Sequence, residues 1–176
     1  MPDPLHERGR GRMAAAYRAL LVAMAGAGAA ILAATALLVV LDVVVRNAGF
    51  QPFAHTIALS EYGLLYATLF AAPWLVRTGG HVRIEIVAAA LGPRARRALA
   101  ALALLLALIA ALIVVGFGLS LTWTQLRQGS FDMRSFDMPK WLLVAPLPLS
   151  FALVAVEYAG LLIGRRWQDA DRPEVP

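Results

Sequence analysis

No cysteine occurs in the 176 residues, which removes disulfides, thiolate metal ligands and thiol nucleophiles together. Charge is also scarce: Asp, Glu, Lys and Arg make up 15% of the chain, against roughly a quarter in soluble domains. Histidine is limited to His6, His55 and His81, one in a tail and two in separate loops. No two of them share a ligand spacing on one helix, which argues against haem and zinc. Ser/His/Asp and Cys/His sets with a nucleophile motif are missing as well. The Gly-x-Gly pairs at Gly9/Gly11 and Gly26/Gly28 lack the preceding strand and following glycine of a dinucleotide loop. The expectation is a chain that is not an enzyme and carries no cofactor.

Apolar side chains are abundant: 60% of residues are hydrophobic, and the mean hydropathy is +0.70. A net charge of +5 and a pI near 10.4 raise the question of nucleic acid. The arginines, however, gather at the ends of apolar runs, where a bilayer surface is the fitting partner and nucleic acid is not. These features predict an all-α integral membrane protein of four transmembrane helices, with a short interfacial helix between helices 2 and 3. The helices are placed at about 16–46, 57–78, 96–126 and 140–165, within a membrane domain 14–167. Cytoplasmic tails 1–13, read as unstructured, and 168–176 flank it.

The uncharged run Ala19–Leu41 exceeds the core of a signal peptide, about 7–15 residues, and meets the roughly 20 that a span needs. Its abundant alanine does not single out one packing face. Asp42 and Arg46 are four apart, with the acid first, the better order for a local helical pair; alternatively Arg46 reaches Glu61 at the start of helix 2. In helix 2, Gly63, Ala67 and Ala71 recur every fourth position, the spacing that lets helices in lipid approach closely. Pro73 is expected to kink this helix, and Gly79-Gly80 to stop it.

Between His81 and Leu91, residues Ile84, Val87, Ala88 and Leu91 share one helical face, as in a helix lying along the membrane surface; the segment could instead extend helix 2 or helix 3. Helix 3 holds an uncharged run, Ala98–Leu126, longer than the hydrocarbon core requires, so it must tilt or protrude. The loop 127–140 repeats Ser-Phe-Asp-Met and offers two acids and two aromatics as the edge of a protein contact. Helix 4 carries Pro146, Pro148 and, well inside the span, Glu157. An intramembrane acid is a functional candidate by default. Here Arg18, Arg77 or Arg165 could neutralise it, and a structural or subunit-binding role is preferred to ion coupling and to simple snorkelling toward the interface. Arginines cluster in the N-terminal tail and around residues 94–97, which predicts cytoplasmic N- and C-termini.

Several motifs carry a resemblance. Arg46-Asn47, Ser60-Glu61 opening helix 2, the run Arg77-Thr-Gly-Gly-His81-Val-Arg83-Ile-Glu-Ile-Val87 and Leu91-Gly-Pro-Arg-Ala-Arg-Arg97 are similar to the small membrane subunit, DctQ type, of tripartite ATP-independent periplasmic (TRAP) transporters. The Pro139-Lys-Trp141 entry to helix 4 is similar too, and the resemblance covers about Leu37 to Gly164. Ala71 departs from it, since the family often has glycine there. The resemblance implies a fixed scaffold in the bacterial inner membrane, bound to a large membrane subunit that carries solute and sodium by an elevator-like movement. A periplasmic binding protein would deliver an organic acid. Arg46, Glu61, Gly63, Ala67, Ala71, His81, Arg83 and Glu157 are the candidates for subunit contact or structural roles. Two other readings stand beside it. A self-assembling exporter would need a substrate-facing acid, for which Glu157 alone qualifies. A redox-complex anchor would need paired intramembrane histidines.

Overall fold

A chain in lipid must pair its backbone groups within its own segment, so long apolar runs fold as helix. The computed structural model describes residues 4–51, 55–78, 92–132 and 138–164, and these are mostly helical. The elements are α1 (Pro4–Asn47), α2 (Thr56–Arg77), α3 (Pro93–Gln128), β1 (Phe131–Asp132), β2 (Met138–Pro139), α4 (Lys140–Val144) and α5 (Pro146–Gly164). Among the described residues, three stretches are long and apolar enough to cross a membrane: Met13–Asn47, Ala98–Gln128, and Lys140–Ile163 across α4 and α5. Four spans were expected. α2 is 22 residues long but falls outside these three, because Ser60, Glu61, Tyr62, Tyr66, Thr68, Pro73 and Trp74 dilute its apolar content. The interfacial helix expected within His81–Leu91 lies outside the described residues.

Helix boundaries follow from local chemistry. α1 begins at Pro4, inside the stretch expected as an unstructured tail; proline suits a first helical turn, and the Glu and Arg that follow are good helix formers. At its other end Gly49 takes φ +83°. The Gly49 amide donates to the Arg46 carbonyl at 3.1 Å and the Phe50 amide to the Val45 carbonyl at 3.1 Å, the paired bonds of a Schellman cap. α3 starts with Pro93 at its first position, after an extended Gly92, and ends on left-handed Gly129. The fourth apolar run is divided at Ala145, just ahead of Pro146 and Pro148, which have no amide hydrogen to donate. Between α3 and α4 the two-residue strands β1 and β2 form an antiparallel hairpin, Phe131 opposite Pro139 and Asp132 opposite Met138.

By internal packing the chain divides into two units, the first holding α1 and α2 through Trp74, the second running from Leu75 through α3, the hairpin, α4 and α5. In the first, the buried positions of α1 are Leu21, Gly28, Thr35 and Asp42, one every seventh residue. Met24, Ile31, Leu38 and Val45 are half-buried beside them, completing the two-position seam of left-handed helix packing. In the second unit α3 repeats the device. Leu104, Leu108, Ala111, Val115, Gly118, Thr122 and Gln125 are buried or half-buried, stepping by four and three.

Candidate functional site

The small residues of α2 meet the seam of α1. A methyl group at Gly63 would overlap the Thr35 hydroxyl. A methyl group at Gly28 would lie 2.9 Å from the Ala67 carbonyl oxygen and 3.5 Å from the Ala71 amide nitrogen. Gly63, Ala67 and Ala71 thus sit where the two backbones approach most closely. As α1 is followed from Gly28 through Thr35 to Asp42, its partners on α2 run back from Ala71 and Ala67 through Gly63 to Thr56. The two helices are therefore antiparallel neighbours. Such contact depends on packing and short polar links, since lipid tails are as apolar as the helices themselves.

The polar link at the end of this pair is Asp42. Its side chain is buried, only 8% exposed. It accepts from the Thr56 hydroxyl at 3.1 Å and from Arg46 Nη2 at 3.2 Å. Thr56 is the first residue of α2 and is itself buried, so the carboxylate ties the close of one helix to the opening of the next. A hydrogen bond to an ionised group of this kind contributes about 1.5–3 kcal/mol. Of the two arrangements the sequence offered for Arg46, the structure contains the local pair with Asp42. Glu61 lies on the exposed side of α2.

In the second unit Arg77, in the last turn of α2, donates from Nη1 to Glu157 Oε1 on α5 at 3.2 Å. The side chains are 26% and 13% exposed, so the pair is shielded without being sealed. A charge held in lipid is costly alone and far less so when paired. Nearby on the same unit, a methyl group at Gly118 would press on Pro148 at 3.1 Å and Leu147 at 3.4 Å, showing how closely α3 meets the first turn of α5. The hydroxyls of Thr68, Thr122 and Thr124 bond back to the carbonyls of Leu64, Gly118 and Ser120 at 2.7, 2.7 and 2.9 Å, so these three donors are satisfied within their own helices.

Of the sequence-predicted residues, Gly63, Ala67 and Ala71 come together with one another, Arg46 with Asp42, and Glu157 with Arg77. His81 and Arg83 lie outside the described residues. Sequence reasoning did not single out Gly28, Thr35 or Thr56, and it treated Asp42 only as a local pair. The signal that would have found the first two is their seven-residue spacing with Asp42, because hydrophobicity is nearly uniform around this helix. Among the described residues no three His, Asp or Glu side chains gather as a metal site would require. The arrangement joins helices; its polar groups satisfy one another.

The family model described as "Tripartite ATP-independent periplasmic transporters, DctQ component" matches residues 35–168, which includes the end of α1, all of α2 through α5 and the Asp42 and Glu157 nodes. No curated protein matches the chain.

Proposed function

The chain belongs to the DctQ component family of the TRAP transporters, a small membrane component and not an enzyme, and we propose that it is the scaffold against which a large membrane subunit moves. One observation carries the scaffold reading. Gly28, Thr35 and Asp42 of α1 are spent on its own neighbour, while Leu32, Leu37, Val40 and Val44 remain exposed on its other sides. A helix pair locked on one face and apolar on the other can stay rigid while it lies against lipid or a partner protein. The large subunit then carries the solute and sodium, and a periplasmic binding protein delivers an organic acid. Those three assignments rest on what the family implies.

In this proposal the chain spans the bacterial inner membrane four times, with both termini in the cytoplasm. α2 counts as the fourth span for two reasons. Its 22 residues reach about 33 Å, enough for a hydrocarbon core of about 30 Å. Its Ala67 and Ala71 lie against Gly28, which falls inside the apolar stretch of α1; a helix packed there shares the membrane with α1. Two crossings between the N-terminal arginines and the cluster at 94–97 put both on the same, cytoplasmic side, as positive-inside bias requires. Glu157 is in this reading a structural acid held by Arg77, not an ion-coupling group.

The test is reconstitution into vesicles. The chain alone should give no sodium-driven uptake of organic acids. Uptake should appear when the large subunit and binding protein are added. Uptake by the isolated chain near the rate of the complete system would refute the scaffold role.

A further inference from the structure

We infer that the Trp123–Arg127 pair, together with Phe131 of the hairpin, is an anchor that seats the C-terminal end of α3 in the phospholipid headgroup layer. The side chains stand off the seam: Trp123 is 56% and Phe131 50% exposed, while seam positions Thr122 and Gln125 are half-buried. The Arg127 guanidinium carbon lies 4.9 Å from the centre of the Trp123 ring, within cation–π range. Arg127 is the basic residue of the last helical turn, where the free carbonyl ends also favour a cation. An apolar ring bearing a cation on its face suits the boundary where hydrocarbon gives way to phosphate.

The hairpin is held at the same end of the helix. The Ser130 hydroxyl donates to Gln125 Oε1, and the Lys140 amide donates to the Ser130 carbonyl at 3.0 Å. Phe131, the next residue, is thereby kept near the helix end. Leu126, 50% exposed, extends the apolar surface toward the span.

Length and charge identify the occupant. From Arg94 to Arg127 the helix measures about 50 Å, and a bilayer including its headgroups is about 40–45 Å thick. A helix pinned by cations at both ends fits that thickness at a tilt of about 25–35°, inside the ordinary range of about 0–40°. The long uncharged run is thus accommodated by tilt, with Trp123 and Arg127 marking where it leaves the hydrocarbon. The partner is phospholipid phosphate, met by Arg127 while Trp123 and Phe131 enter the acyl boundary. This inference rests on α3 being a membrane span, and it assigns this edge to lipid instead of to a protein contact.

The chain lacks cysteine, so single spin labels can be placed in the full-length protein in vesicles of phosphatidylcholine and phosphatidylglycerol. One label replaces exposed Gln128, leaving the three anchor residues intact; a second replaces Ile113, 53% exposed at mid-helix. The Gln128→Cys label should show headgroup depth, with balanced access to oxygen and to a water-soluble nickel chelate. Adding Trp123→Ala with Arg127→Gln should raise its nickel access about threefold, the worth of an exposed cation–π contact. Adding Arg127→Lys alone, which keeps the cation, should leave much of the anchoring. A Gln128 label in open water, or one shielded from both reagents by protein, while the Ile113 label reads deep in hydrocarbon, overturns the anchor. An Ile113 label in water would instead overturn the reading of α3 as a span.

Discussion

Among the described glycines, Gly63 is the position where a single added atom matters most, because the space of its missing side chain is occupied by the Thr35 hydroxyl. Gly63→Ala should therefore force α1 and α2 apart and cost about 1–3 kcal/mol, the range of an overpacked interior. Thr35→Ala removes the obstructing oxygen and leaves only the Thr35 Cβ, 3.4 Å from the new methyl group, an ordinary contact. The double variant should then recover most of the loss. Gly26 supplies the control, since nothing lies within 4 Å of a methyl group added there; Gly26→Ala should leave stability unchanged or raise it by up to about 1 kcal/mol, the helix preference of alanine over glycine. Thermal unfolding of the three variants in detergent measures all of this. Equal losses for Gly26→Ala and Gly63→Ala would show that glycine content, and not this contact, sets stability. At this scale the four-residue spacing in α2 was legible as a close-packing face. Its counterpart in α1 was not, because Gly28 and Thr35 stand among alanines and the seam shows only in a seven-residue period of small and polar residues.

Between elements, the Arg77–Glu157 pair is the polar join that brings the last turn of α2 to α5 within one unit. Because both groups keep some exposure, removing one partner should cost less than the 3–5 kcal/mol of a fully buried pair, about 1–3 kcal/mol. Arg77→Ala and Glu157→Gln should each lower the yield of assembled transporter, and the exchange Arg77→Glu with Glu157→Arg should restore part of it. An ion-coupling Glu157 behaves differently: Glu157→Gln would abolish uptake in a normally assembled complex, and the exchange would not rescue it. Assembly by size-exclusion and uptake in vesicles, measured on the same samples, separate the two. The apolar runs marked out the helices in the sequence because lipid allows few alternatives to helix. The pairing of those helices was less visible, since exposed leucines such as Leu112 and Leu119 are as apolar as anything on the seam. Arg18, Arg77 and Arg165 were all open as partners of Glu157 in the sequence, and the fold shows Arg77 beside it. The break at Ala145 followed prolines seen in the sequence, but the short hairpin of Phe131 and Met138 had no such marker.

For the whole molecule, the count of spans decides the orientation of every loop, and α2 is the helix on which that count turns. With three spans, the arginines of the N-terminal tail and those at 94–97 would face opposite sides of the membrane, against positive-inside bias. With four, they share the cytoplasm, and the antiparallel contact of Gly28 with Ala67 and Ala71 lies inside the bilayer for both helices. Replacing Thr78, just past the end of α2, and Ser130, just past the end of α3, by cysteine one at a time tests this in the cysteine-free chain. Thr78 is exposed, and Ser130 precedes the hairpin, so both sites are suited to labelling. In intact cells an impermeant thiol reagent should modify Ser130→Cys and leave Thr78→Cys unmodified until the membrane is opened. Labelling of Thr78→Cys from outside, with protection of Ser130→Cys, would mean that α2 lies outside the bilayer or that the chain is inverted. A cysteine at Asn47 then distinguishes these outcomes. It follows the first crossing alone, so it labels from outside if only α2 has been misplaced and stays protected if the whole chain is turned over.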